Sequence, residues 1–184
     1  MVRSHLQHSD FTLYFTGQFL QSIYPRTPGG FYSWGYGQGM KQTETSEFAT
    51  EYNRLKLYAE WRRYWDVSKP ILVEKSPRHM LMTRLLQYYF TDERSFFIVV
   101  MRHPYGTVRE IMNGRYQMFY RDCGAEAIAH WLMIYETLFE DLQHIQHRVV
   151  MHLEKFVEGD TQGLGWSLCV QMTVPHLLSC CSLL

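Results

Sequence analysis

The strongest periodicity in the chain runs through Ile128, Trp131, Leu132, Tyr135, Leu138, Phe139, Leu142 and Ile145, at steps of three and four. Glu136, Glu140, Asp141 and Gln143 fall off that stripe, so the segment reads as a helix with one apolar side. Phe96-Phe97-Ile98-Val99-Val100-Met101 is an unbroken apolar run. It is too dense for a half-solvated strand and suits a central parallel strand covered on both faces. Ile71-Leu72-Val73-Glu74, just after Lys69-Pro70, is a shorter β-rich run, and Arg148 to Glu154 reads as a third strand.

Helices are expected between these strands. Ser76-Pro77 offers a capping hydroxyl and a proline for the first helical position, and Leu81, Met82, Leu85, Leu86 and Tyr89 carry an apolar face to about Phe90. Pro104 marks a second start, for a helix from about Tyr105 to Tyr116. Upstream, Thr45 to Trp65 reads as a helix that packs through Phe48, Tyr52, Leu55, Tyr58 and Ala59. Strand and helix alternate, which predicts an α/β fold: a parallel sheet flanked by helices, with right-handed crossovers. At 184 residues the chain is expected to hold one domain over 1–160, followed by a divergent tail over 161–184.

Composition narrows the function classes. Hydrophobic residues make up 46% and charged residues 20% of the chain, which excludes a wholly disordered protein or a coiled coil. Lys plus Arg (18) balance Asp plus Glu (18), so no global field draws the chain to nucleic acid, and any bound anion must be held by local placement. Cys123, Cys169, Cys180 and Cys181 have neither zinc spacing nor the density of a disulfide scaffold. His144, His147 and His152 have no Cys or carboxylate to complete a recognised metal set. The run Arg26 to Gln42 contains Gly35, Gly37 and Gly39 but fits neither a dinucleotide fingerprint nor a Walker loop, because Met40 precedes Lys41 and Gln42 follows it. It reads as an aromatic-rich surface loop. No signal peptide or transmembrane segment is expected, and Cys181-Ser182-Leu183-Leu184 has the form of a prenylation ending without a polybasic stretch before it.

In open α/β sheets ligands bind at the carboxyl ends of strands. Two such ends carry cations here: Glu74-Lys75-Ser76-Pro77-Arg78-His79 and Arg102-His103-Pro104. Each stands before a helix start, where free N–H groups and the helix dipole favour an anion, and the Arg102 guanidinium can grip a phosphate with two parallel hydrogen bonds. Together they describe a phosphate or sulfate pocket. The competing reading is that Lys75 and Arg102 pair with acids such as Glu74 or Glu110.

The pieces ILVEKSPRH, FFIVVMRHP, HWLMIYETLFEDL and RVVMHLEKFV, in this order between about Pro70 and Glu158, resemble the middle of the nucleotide-dependent sulfotransferases, in the branch that acts on carbohydrate or protein acceptors. The resemblance implies a truncated form of the P-loop-like sulfotransferase fold within residues 1–160. It implies 3'-phosphoadenosine 5'-phosphosulfate (PAPS) as donor, with Arg102 on its 3'-phosphate and Lys75 and Arg78 beside the acceptor. The activity implied is transfer of a sulfuryl group to a hydroxyl or amine; no catalytic base is assigned, and His79 is read as a partly exposed helix residue. A Golgi location is implied only by analogy with that branch.

The sequence also departs from the family pattern. Its members open with a strand and a loop of Arg or Lys followed by Ser-Gly-Thr, and nothing before Gly17 matches it. Gly17 to Gln21 and Tyr24-Pro25 resemble the segment just after that loop in some members, so the chain is expected to begin past it. A family serine on the 3'-phosphate falls at Glu110, and the late basic loop over the nucleotide has no counterpart in Gly163 to Leu184. The alternative is therefore a non-catalytic α/β relic or interaction module that has lost the donor site, or an unrelated α/β protein.

Overall fold

Strands and helices alternate along the chain, and the pairing between strands is mostly parallel, so the coarse α/β class holds. The computed structural model describes residues 6–7, 11–15, 17, 20–24, 40–91, 95–113 and 124–159. They divide between two compact units, residues 1–89 and 90–184, each with its own sheet.

In the first unit, β1 (Leu6–Gln7) runs antiparallel to β2 (Phe11–Phe15), and β2 runs parallel to β3 (Ile71–Lys75). The register sets Phe11 opposite Ile71 and Phe15 opposite Lys75. β3 lies where the apolar run puts it; β1 and β2 lie where the sequence pattern assigns no element. Short turns over residues 43–50 lead into α1 (Glu51–Trp61). Thr50 is its cap: the backbone is extended (φ −120°, ψ 151°) and Oγ1 accepts the Asn53 N–H at 3.2 Å. That cap shortens the expected Thr45–Trp65 helix.

The expected packing face of α1 is also corrected. Leu57 and Trp61, one turn apart, are buried, whereas Tyr52 is 70% and Leu55 54% exposed. The indole N–H of Trp61 donates to the Gly17 carbonyl at 3.0 Å, so a buried hydrogen bond turns the helix rather than its widest apolar stripe. Beyond β3 the expected single helix is two pieces, a 3-10 turn over Pro77–Leu81 and α2 over Thr83–Phe90. Met82 (φ −137°, ψ 13°) separates them. The Ser76 hydroxyl makes no cap here, because it donates to Glu74 instead. Leu81, Met82, Leu85, Leu86 and Tyr89 are buried as their spacing predicts, each such side chain contributing about 1.5–3 kcal/mol relative to exposure.

In the second unit, β4 (Phe97–Met101) and β5 (Arg148–His152) pair in parallel, Phe97 opposite Arg148 and Met101 opposite His152. Among the described residues β4 has no other partner, and Ile98 (51%) and Val100 (46%) stand exposed while Val99 is buried. This overturns the expectation of a central strand covered on both faces, because an apolar run records solubility preference and not the number of neighbours. α3 (Pro104–Asn113) starts at the proline, as expected, and residues 114–116 of its expected extension lie outside the described residues. α4 (Gly124–Leu142) buries Ala127, Tyr135, Leu138 and Leu142, while Ile128, Leu132 and Phe139 of the predicted stripe are exposed. β5 ends at His152, and Leu153 and Glu154 belong instead to the short helix α5 (Leu153–Val157). No helix among the described residues is long and apolar enough to cross a membrane.

Of the expected surface loop, residues 26–39 lie outside the described residues, as do the tail over 161–184 and its Cys181 ending. The end of the loop is not surface: Met40 and Gln42 are buried, and the Gln42 N–H donates to the Leu81 carbonyl.

Candidate functional site

The carboxyl end of β3 gathers hydrogen-bond donors around one buried carboxylate. Alternation along a strand sends Glu74 and Lys75 to opposite faces, and Glu74 goes inward, with a side chain only 7% exposed. Its Oε1 accepts the Gly17 N–H at 2.6 Å and the Ser76 hydroxyl at 2.6 Å. Its Oε2 lies 2.8 Å from Nδ1 of His79. On the far side of the ring, His79 Nε2 is 2.9 Å from the Tyr24 hydroxyl. Tyr24, His79 and Glu74 thus form one contiguous chain of polar contacts.

Aromatic rings close it in. Tyr24 and Trp61 meet edge to face at 6.4 Å, Trp61 lies 5.8 Å from His79, and Trp65 packs on Trp61 at 5.5 Å. Burial above all, then the Glu74 charge, pushes the Tyr24 phenol well above its ordinary range, so it stays protonated. Trp65 is fixed in turn by donating to the Val73 carbonyl at 3.1 Å. Gly17 matters here for its missing Cβ: one would come within 2.6 Å of Glu74 Oε1. Gly17, Leu20, Trp61, Tyr64, Trp65 and Glu74 line a shallow depression in this unit.

Arg78 belongs to the same neighbourhood. Its guanidinium lies 6.0 Å from the Tyr24 ring and donates to Sδ of Met40 at 3.2 Å. Lys75, at the last position of β3, is exposed. His79 is a partly exposed helical residue, as expected: it sits in the 3-10 turn, 16% exposed, with one ring nitrogen 2.8 Å from Glu74 and the other 2.9 Å from the Tyr24 hydroxyl.

The second set is at the carboxyl end of β4. Arg102 is anchored by its backbone: its N–H donates to the Tyr135 hydroxyl at 3.0 Å. Tyr135 is buried on α4 and stacks on Trp131 at 4.2 Å. The next amide, His103 N–H, donates to Glu154 Oε1 at 2.9 Å, and His103 Nδ1 accepts the Tyr105 N–H at 3.2 Å, capping α3. The strand end, α3, α4 and α5 are thus tied at one turn.

From that anchor the guanidinium folds over the first turn of α3. A Cβ on Gly106 would stand 3.1 Å from Nε, 3.5 Å from one terminal nitrogen and 3.6 Å from Cζ. One turn on, Glu110 meets it with both oxygens, at 2.9 Å and 2.6 Å. The Glu110 hydrogen bond raises the guanidinium above its ordinary range, with the Glu154 charge adding a little, and Arg102 in return lowers the Glu110 carboxyl. Arg102 is 33% and Glu110 68% exposed, so the pair stands in high dielectric and contributes roughly 0.2–1 kcal/mol.

The expected cations are therefore at two strand ends, Lys75 and Arg78 in the first unit and Arg102 in the second. The sequence reading missed Glu74 as the hub of the first set, and β2 with Gly17 behind it. A carboxylate inside an otherwise apolar strand, two residues before a serine and five before a histidine, is the signal that could have pointed to Glu74. Among the described residues no group of His, Cys, Asp and Glu side chains comes together as a metal site. No family model, no curated protein and no solved structure matches the chain.

Proposed function

We infer that this chain is a sulfotransferase-type α/β protein, in which Arg102 is the anchor for the 3'-phosphate of PAPS. The reaction is transfer of a sulfuryl group to a hydroxyl or amine on a carbohydrate or protein. The S–O bond to the 5'-phosphate breaks, a new S–O or S–N bond forms at the acceptor, the acceptor proton passes to a base, and adenosine 3',5'-bisphosphate leaves. The observation that carries the reading is the setting of Arg102: directly after a parallel strand, before a helix start, with its backbone fixed by Tyr135 and its guanidinium one-third exposed. A rigid backbone below a reachable planar fork suits bidentate phosphate binding. Lys75 and Arg78 are assigned to the acceptor.

A second reading has its own observation. Both sets of anion-binding donors are occupied by the protein's own carboxylates, the Gly17 amide and Ser76 hydroxyl by Glu74 and the Arg102 fork by Glu110. That is what a non-catalytic scaffold that has lost its donor would contain. Titration with adenosine 3',5'-bisphosphate in a calorimeter separates the two. Binding that falls at least tenfold in Arg102→Ala supports the first reading; no heat with either protein leaves the scaffold. Transfer of labelled sulfate from PAPS to a panel of acceptors then tests catalysis itself.

A further inference from the structure

We propose that Glu110 is an internal competitor for the Arg102 fork, so that a phosphate ester binds there only by exchange with this carboxylate. The proposal rests on the nucleotide reading of Arg102 and concerns how that site is regulated.

The geometry is that of a carboxylate standing in for a ligand. Arg102 presents two terminal nitrogens, and Glu110 meets one with each oxygen, at 2.9 Å and 2.6 Å, the parallel arrangement that a phosphate monoester would use. The competitor is delivered by the helix itself. Gly106 and Glu110 are four residues apart on α3 and share a face, and the absence of a Cβ at Gly106 lets the guanidinium lie back against the first turn, where Glu110 reaches it. The contact is also built to open. Glu110 is 68% exposed, so the displaced carboxylate passes into water without leaving a buried charge behind, and the pair it gives up is a weak one. The Tyr135 and Glu154 hydrogen bonds hold the backbone of Arg102 and His103 and do not depend on Glu110, so exchange leaves the strand end in place.

The barrier to binding has two parts that act in the same direction. An incoming phosphate must break the two hydrogen bonds to Glu110, and it then lies close to a carboxylate whose charge repels it. Neutralising Glu110 removes both, and a gain of roughly tenfold in affinity is the expected size for a close, partly solvated pair of like charges. The carboxylate acts as a filter too: a ligand touching Arg102 weakly is kept off, while one gaining additional contacts elsewhere displaces Glu110.

The test is calorimetric titration of the full chain with adenosine 3',5'-bisphosphate, in wild type, Glu110→Gln and Glu126→Gln. Glu126 is an exposed glutamate in the first turn of α4, and its replacement removes the same charge from the same unit at a residue that is not among the groups acting on the Arg102 guanidinium. Circular dichroism checks that each variant keeps its helices. About tenfold tighter binding in Glu110→Gln, with Glu126→Gln unchanged from wild type, is the expected result. Equal affinities in all the proteins, or equal gains in both variants, overturn the competitor while leaving the nucleotide reading intact. Absence of heat throughout, Glu110→Gln included, overturns the nucleotide reading and the competitor with it.

Discussion

Nδ1 of His79 lies 2.8 Å from Oε2 of Glu74 and joins the 3-10 turn to the strand before it. The same carboxylate receives the Gly17 amide, and the same ring meets the Tyr24 hydroxyl. One acid thereby ties residues 17 and 24 to the end of β3.

This hub makes the first prediction. Glu74→Ala strips the partners from a buried amide, a hydroxyl and an imidazole at once, and unsatisfied buried polar groups cost about 1–3 kcal/mol each where water cannot replace the partner. With Glu74 at the edge of the core, a loss of roughly 2–4 kcal/mol is expected in denaturant unfolding. Tyr24→Phe removes only the outer link and should cost about 1 kcal/mol. Equal losses from the two substitutions would refute the hierarchy.

The second prediction concerns the anchor of Arg102. Tyr135→Phe keeps the ring stacked on Trp131 but leaves the Arg102 N–H without its acceptor. A loss of about 1 kcal/mol in stability is expected, together with weaker binding of adenosine 3',5'-bisphosphate, because the strand end that aims the guanidinium is loosened. A variant that unfolds earlier yet binds as tightly as wild type would show that Tyr135 serves stability alone.

The third prediction is an acid response of the second unit. The Glu154 carboxyl is lowered, chiefly by the His103 amide, and the Glu110 carboxyl is lowered by its hydrogen bond to Arg102. A carboxyl lowered by folding lends stability above its unfolded value, about 4.3 for glutamate, and loses it as the pH falls through the folded value. Stability should therefore hold from neutral pH down to about 4.5 and decline below it. In the doubly substituted Glu110→Gln, Glu154→Gln protein that limb should flatten when unfolding is monitored by near-ultraviolet circular dichroism between about pH 3 and 7. An unchanged acid limb would mean that other carboxylates set it.

Several elements were legible from local pattern because local physics makes them. β3, β4 and β5 arise from β-rich apolar runs, α3 begins at its proline, and α4 is marked by steps of three and four. What the pattern misjudged was what those surfaces meet. Tyr52 and Leu55 were set on a packing face and are exposed; Ile98 and Val100 were set in a covered strand and are exposed. Ser76 has the composition of a helix cap, yet a carboxylate two residues back takes its hydroxyl.

The candidate residues divide in the same way. Their placement at strand ends could be read from the sequence, since a cation after a β-rich run and before a proline-led helix is a local arrangement, and Lys75, Arg78 and Arg102 all lie in or beside one. Glu110, eight residues on, could be named from the sequence as a partner for Arg102, and the two do pair; the more distant partners were a matter for tertiary structure. Glu74 joins groups 57 residues apart in the chain, and Tyr135 reaches Arg102 across 33. No short window contains both members of either pair, so periodicity and propensity carry no trace of them; only the folded backbone brings the donors and acceptors within hydrogen-bond range.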